Sequence, residues 1–311
     1  MQLKRISLAL FFALFLLSAC SDKKEPETKT PEPAEGGVFT SFVTVSPLLG
    51  PADSVCKEAS EVHILLPAGA EPHSYEPTPG DVRKLADSAL LFQIGMGLDD
   101  WAAKIALEAE NGPRIIAVAG GVPTLPALSE RERRKLFEQD KKANFPNPHV
   151  WLDPDVMATM LVQSMARAYT QAAPDREEFF WENAIRYRKR LQGMSARFDS
   201  LLAPVKDKPV ILHHGSFAYF CRRYGIPVED ILEPFPGREP SPKELQTIIE
   251  NAREAGVVAI LAEPQVSPKP ARIIADELGI PVIEVDPLGK RGESYIELME
   301  RNVAAIVEGT G

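Results

Sequence analysis

Two sets of four short apolar runs, separated by a single uninterrupted amphipathic stripe, constrain this 311-residue chain more than any other feature. The first set covers residues 38–45, 62–66, 90–94 and 114–118, and the second covers 210–212, 228–232, 257–262 and 282–285. Each run is short enough for a buried strand, and helical patterns lie between consecutive runs. Strands separated by helices give parallel sheets covered on both faces. The chain therefore reads as α/β, with two lobes, each a mainly parallel sheet flanked by helices. Between the sets, residues 174–203 place Phe180, Ala184, Tyr187, Leu191, Met194, Phe198 and Leu201 at steps of four and three. That is one apolar stripe on a helix that rises about 45 Å, long enough to bridge both lobes. A coiled-coil dimer would use the same spacing, but Ala184 and Tyr187 in the seam favour packing along the lobes of one chain, hence a monomer.

The first residues form an address. Lys4 and Arg5 precede an apolar run from Ile6 to Leu17, about 18 Å of helix and too short to span a bilayer core of ~30 Å. It reads as a signal peptide over 1–19. Leu17-Ser18-Ala19-Cys20 resembles a bacterial lipobox, which implies lipidation at Cys20 and a membrane-tethered, extracytoplasmic protein. Residues 20–37 contain too little apolar surface to fold and read as a flexible tether. The lobes then span 38–173 and 204–311, with the linking helix at 174–203. The formal charge of −9 argues against nucleic acid as a partner. Cys56 and Cys221, on separate lobes, read as buried free thiols.

The 28 prolines are roughly twice the usual ~5 %. Thr78-Pro79, Asp153-Pro154, Ser241-Pro242 and Ser267-Pro268 each pair a capping side chain with a proline, as at helix starts, and Ser241 with Glu244 fits a capping box. No GxGxxG, GxxxxGK[ST] or GxSxG motif is present, so nucleotide and nucleophile-elbow chemistry lack support. His214-Gly215-Ser216 does not read as a serine hydrolase, because adjacent residues rarely supply a nucleophile and its base. The histidines carry more. His73 lies in a proline-stiffened loop after a strand, His149 lies just before a capped helix, and His213 and His214 end the run at 210–212. Glu263 and Asp286 follow the runs at 257–262 and 282–285. Open parallel sheets bind ligands beyond the carboxyl ends of their strands, where all of these but His149 fall. His63, two residues after Glu61 in an alternating strand, reads as background.

The segments LLPAGAEPHSYEPTPGDVRKLADSALLFQIGMGLDDW, NPHVWLDP, HHGSFAYFCRRYGI, EPSPKEL and AEPQVSPKPARIIADELGIPVIEVDPLG resemble the ZnuA/TroA-like solute-binding lipoproteins of zinc and manganese ABC importers. The resemblance runs along nearly the whole mature body. It implies two α/β lobes bridged by one long helix, one transition-metal ion in the cleft between them, an ABC permease as partner, and no enzymatic activity. Carried onto this chain, it implies His73, His149, His214 and Asp286 as metal ligands. His213 is the alternative to His214, since successive strand residues face opposite ways. Glu263 is expected to support the ligands or to join them. Many zinc-specific members have a histidine-rich loop between the first two ligands, whereas residues 129–147 here contain no histidine and read as a charged helix and loop.

Three imidazoles and one carboxylate suit tetrahedral Zn²⁺, whereas manganese favours more oxygen. The missing histidine-rich loop weighs the other way and keeps Mn²⁺ or ferrous iron as alternatives. Four protein ligands leave no position for activated water, so the site reads as capture rather than zinc hydrolysis. A surface adhesin is the alternative of another class. Imidazole protonation is expected to weaken binding below about pH 6.

Overall fold

In the computed structural model, the described residues are 37–126, 146–234 and 238–311. The expected signal peptide, the expected lipidation site Cys20, the expected tether up to residue 36 and nearly all of the charged stretch at 129–147 lie outside them.

The first set of apolar runs forms β1 (Phe39–Val43), β2 (Ser60–Ile64), β3 (Leu90–Gln93) and β4 (Arg114–Ala117), all parallel, in the order β2-β1-β3-β4. The second set forms β5 (Val210–His214), β6 (Val228–Glu233), β7 (Ala259–Ala262) and β8 (Val282–Glu284), parallel in the equivalent order β6-β5-β7-β8. The strand expected at 62–66 begins and ends two residues earlier. Leu65 and Leu66 are nonetheless buried and donate their N–H groups to Val43 and Thr44, so the apolar run outlasts the strand. In both sheets, the connections reverse between the second and third strands of the order, which opens a crevice beyond the strand ends at that point.

The helices that pack on the sheets include α1 (Leu49–Cys56), α2 (Pro79–Leu85), α3 (Asp100–Glu108), α4 (Val162–Ala172), α5 (Glu177–Leu201), α6 (Ala218–Tyr224), α7 (Pro242–Ala255), α8 (Lys269–Leu278) and α9 (Tyr295–Thr310). Capping boxes start α2 at Thr78 and α7 at Ser241, and Asp153 accepts two backbone N–H bonds at the turn Pro154–Val156. The expected cap at Ser267-Pro268 is displaced by one residue. Pro268 itself occupies the capping position of α8, and the Ser267 hydroxyl reaches only the Lys269 N–H, at 3.5 Å.

The bridging helix is α5, preceded by a tight turn at Pro174–Arg176. It buries Phe180, Ala184, Tyr187, Leu191, Met194 and Phe198, as the stripe requires. Leu201 departs from expectation and is exposed, because α5 ends there and the chain turns to put Leu202 into the core instead. The amino-terminal half of α5 belongs to the first lobe: Phe180 stacks on Tyr169, and Asn183 donates to the Val55 carbonyl. The other half meets the second lobe through Phe198 against Tyr224, Ser195 with Tyr224, and Arg223 with Asp199. Cys56 and Cys221 are buried free thiols, both pushed up to about 12 chiefly by burial, and thus unreactive. Among the described residues, no helix is long and apolar enough to cross a membrane.

Hydrogen bonds also join the lobes close to the strand ends. The Trp151 indole N–H donates to the Pro287 carbonyl at 2.8 Å, and the Tyr295 hydroxyl donates to the Trp151 carbonyl at 2.7 Å. Asn147 Nδ2 donates to the Gly215 carbonyl, and the Tyr219 hydroxyl donates to the Asn147 carbonyl. Tyr295 is buried, so Tyr295→Phe leaves the Trp151 carbonyl without this donor. The substitution is expected to lower stability by about 1–2 kcal/mol in urea denaturation, and no change would show that the link is not stabilising.

Candidate metal centre

His73, His149 and His214 offer ring nitrogens that all lie within 4.8 Å of one another. Three unrelated local structures bring them there. His73 stands in the loop after β2, a segment anchored by Trp101, whose indole N–H donates to the Pro72 carbonyl. His149 precedes the short turn at Val150–Leu152, and His214 is the last residue of β5. Their ring centroids are 5.0 to 5.4 Å apart, with His214 edge-on to the other two.

Hydrogen bonds decide which nitrogen of each ring is available. His214 Nδ1 lies 2.8 Å from the Glu233 carbonyl oxygen, an acceptor only, so Nδ1 carries the proton and Nε2 keeps a free lone pair. His149 Nδ1 lies 2.9 Å from Asn147 Oδ1. The Asn147 amide orientation is fixed independently, because its Nδ2 donates to the Gly215 carbonyl at 2.6 Å while Oδ1 accepts the His149 backbone N–H. His149 Nδ1 is therefore also the donor, and its Nε2 faces His73 Nε2 at 3.3 Å. His214 Nε2 is buried and has no protein partner. A buried nitrogen with an unused lone pair is costly unless something binds it, and a cation fits.

Burial drives the His73 imidazole down to about 4, against an upward pull from Glu71 and with a further push down from His214. Burial also holds His149 well below its ordinary value, and the two neighbouring imidazoles add to this. His73 and His149 are consequently neutral and ready to ligate at pH 7.

The carboxylates stand around the triad. Glu263, one residue beyond β7, lines the same pocket as His149, His214, Trp151 and Glu71. Burial raises its carboxyl, opposed by His214 and by the Ser216 hydroxyl that donates to Oε1. Asp286 is not within the three-imidazole cluster. Its carboxylate accepts from Gln265 Nε2, the Leu288 N–H and Arg301 Nη2, while the following Pro287 and Leu288 line the pocket. His213 is fully buried, with Nε2 3.3 Å from Glu233 Oε1, and takes no part in the cluster. His63, on edge strand β2, lies against the Phe42 ring and near Glu61, away from the site. The Glu233 carbonyl and Arg301 carry no sequence signal of their own, whereas Asn147, Ser216 and Gln265 sit within the NPH, HHGS and AEPQ runs without being marked as functional there.

Two parallel-sheet lobes joined by a long helix, with imidazoles from both converging at the strand ends, form the architecture of a two-lobed solute-binding fold. The chain belongs to the family described as zinc-uptake complex component A, periplasmic (ZnuA), which it matches over residues 42–309. This is a family of metal ABC transporter substrate-binding proteins and not of enzymes. The chain is 26% identical over 318 residues to the manganese ABC transporter substrate-binding lipoprotein PsaA of Streptococcus pneumoniae, covering 97% of each. It is 29% identical to the zinc-binding lipoprotein AdcA of the same species, with 99% of this chain covering 61% of that protein. Among solved structures, FpvC of Pseudomonas aeruginosa in complex with Mn²⁺ aligns at 26% identity and a TM-score of 0.75, over 88% of this chain and 98% of that one. A crystal structure of ZnuA shares the fold at 24% identity and a TM-score of 0.76, over 88% of this chain and all of the other.

The depressed His73 has a consequence without metal. Between the unfolded value near 6.5 and the folded value near 4, the unfolded chain binds a proton that the folded chain refuses. Stability is therefore lost as pH falls through this window, by up to about 3 kcal/mol for His73 alone. Urea midpoints of the metal-stripped protein are expected to fall from pH 7 to pH 4.5, and less steeply in His73→Gln. Equal slopes in the two proteins would contradict this.

Proposed function

We propose that the protein captures Zn²⁺ outside the cytoplasm and hands it to the permease of an ABC importer, as a monomer tethered through lipidated Cys20. The observation that carries this reading is the pair of fixed tautomers, which turn the bare Nε2 atoms of His149 and His214 toward one point beside His73. In the proposed loaded state, the three imidazoles bind the ion and Asp286 turns its carboxylate in as the fourth ligand, with Glu263 beside it. Three nitrogens and one oxygen suit zinc. Closed four-coordination suits carriage, because no position remains for a reactive water. Ligands from both lobes couple the ion to the inter-lobe geometry, which offers a permease a difference to read.

Manganese is the second reading, favoured by the name of PsaA and by the carboxylates close to the imidazoles. The relative FimA of Streptococcus parasanguinis is itself named a metal ABC transporter substrate-binding lipoprotein, and no feature of the site argues for adhesion.

Titration of the metal-stripped full chain is expected to give one Zn²⁺ per chain, bound at least 100-fold more tightly than Mn²⁺ (an order-of-magnitude expectation for a nitrogen-rich site). His73→Ala and His149→Ala should abolish this binding, and Asn147→Ala should weaken it about 10- to 100-fold by freeing the His149 ring. Tighter Mn²⁺ binding would favour the second reading, and retention of Zn²⁺ by His149→Ala would refute the site. The depressed imidazoles also revise the acid limit. Proton competition at His73 should therefore set in below pH 6, nearer its value of about 4, and Zn²⁺ titrations at pH 6 and pH 4 check this.

A further inference from the structure

Asp286 is held twice over by consecutive residues of α9. Asn302, fully buried, grips its main chain: Oδ1 accepts the Asp286 N–H and Nδ2 donates to the Asp286 carbonyl, both at 2.8 Å. Arg301 takes its side chain, with Nη2 3.1 Å from Oδ2. The guanidinium is also anchored on Glu293, through Nε to Oε1 and Nη2 to Oε2, each at 2.8 Å. Glu293 is fixed in turn by the Lys290 N–H, which donates to its Oε2.

Because Asn302 pins the backbone, any competition for Asp286 is decided in the side chain. We propose that Arg301 is an internal counter-ion for Asp286 with which the incoming divalent cation must compete, so that Arg301 sets how tightly the ion is held and how fast it leaves. This inference rests on Asp286 joining the imidazoles as a ligand. A guanidinium bound to a ligand carboxylate reduces the charge that the carboxylate offers a cation and repels the cation directly. Glu293 keeps Arg301 paired when Asp286 turns to the ion, so the exchange leaves no uncompensated charge. The Arg301 side chain is 30% exposed, so solvent moderates the effect without cancelling it. A carrier that must release its cargo gains from such a built-in competitor, since it limits residence time without removing a ligand.

The test uses the full chain and Zn²⁺. Affinity is measured by competition with a fluorescent chelator, release by stopped-flow transfer to excess chelator, and folding by melting without metal. Arg301→Gln should bind Zn²⁺ on the order of tenfold more tightly, mainly through slower release. Asp286→Asn should weaken binding, and Arg301→Gln added to it should bring no gain. Glu293→Gln leaves the guanidinium to Asp286 alone and should weaken binding severalfold, which keeps the inference testable if Arg301→Gln does not fold. His149→Ala separates the two levels. Retained binding in that variant overturns the site itself. With binding lost in His149→Ala, unchanged or weaker binding in Arg301→Gln overturns the counter-ion role alone, as does unchanged or tighter binding in Glu293→Gln. An undiminished Asp286→Asn, or a gain from Arg301→Gln that persists on the Asp286→Asn background, also overturns it.

Discussion

Two hydrogen bonds donated by ring nitrogens carry the rest of the site. The Glu233 carbonyl and the Asn147 amide oxygen each accept an Nδ1 proton, and by doing so fix which atom of His214 and of His149 faces the cleft. Without them an imidazole can rotate or change tautomer and bury its N–H where a lone pair is wanted. The two acceptors come from different sources: one is the end of a neighbouring strand, paired in register with His214, and the other is an amide two residues before its histidine. Asn147 is oriented by the Gly215 carbonyl, so the second lobe helps set the tautomer of a histidine in the first.

The same region ties the lobes together. Trp151 packs beside His149 and donates to Pro287, next to Asp286, while Tyr295 at the start of α9 donates to Trp151. A cation drawing on His149 and Asp286 thus acts on two ends of a connected set of hydrogen bonds. Together with α5, whose two halves pack on different lobes, these links favour small adjustments over a wide hinge opening. Burial completes the preparation. It keeps His73 and His149 neutral, which leaves them able to ligate at pH 7 and makes protons poor competitors at those two rings until the solution is strongly acidic.

Much of this was legible in the sequence. The eight apolar runs became eight strands, because a short apolar run between helical patterns has few other outcomes. The spacing of Phe180 through Phe198 gave the bridging helix, and failed only at Leu201, where the helix ends and periodicity has no further meaning. The alternation of strand residues set His213 and His214 on opposite faces, the family resemblance pointed to His214, and the structure leaves His213 buried beside Glu233. What spacing could not reveal was tertiary. Nothing around Arg301 or Asn302 in the sequence indicates that both reach back about fifteen residues to Asp286, and nothing marks a backbone carbonyl as the partner of His214. Asp286, named by motif, is found in the grip of Arg301, a partner that only the packing of α9 against the strand ends supplies.

X-ray absorption at the zinc edge of the zinc-loaded full chain addresses the central claim most directly. Convergence of the three imidazoles predicts a four-coordinate shell at about 2.0–2.1 Å, with the outer-shell scattering of three imidazole rings and one oxygen ligand. A six-coordinate, oxygen-dominated shell, or scattering from fewer than three imidazoles, would contradict it.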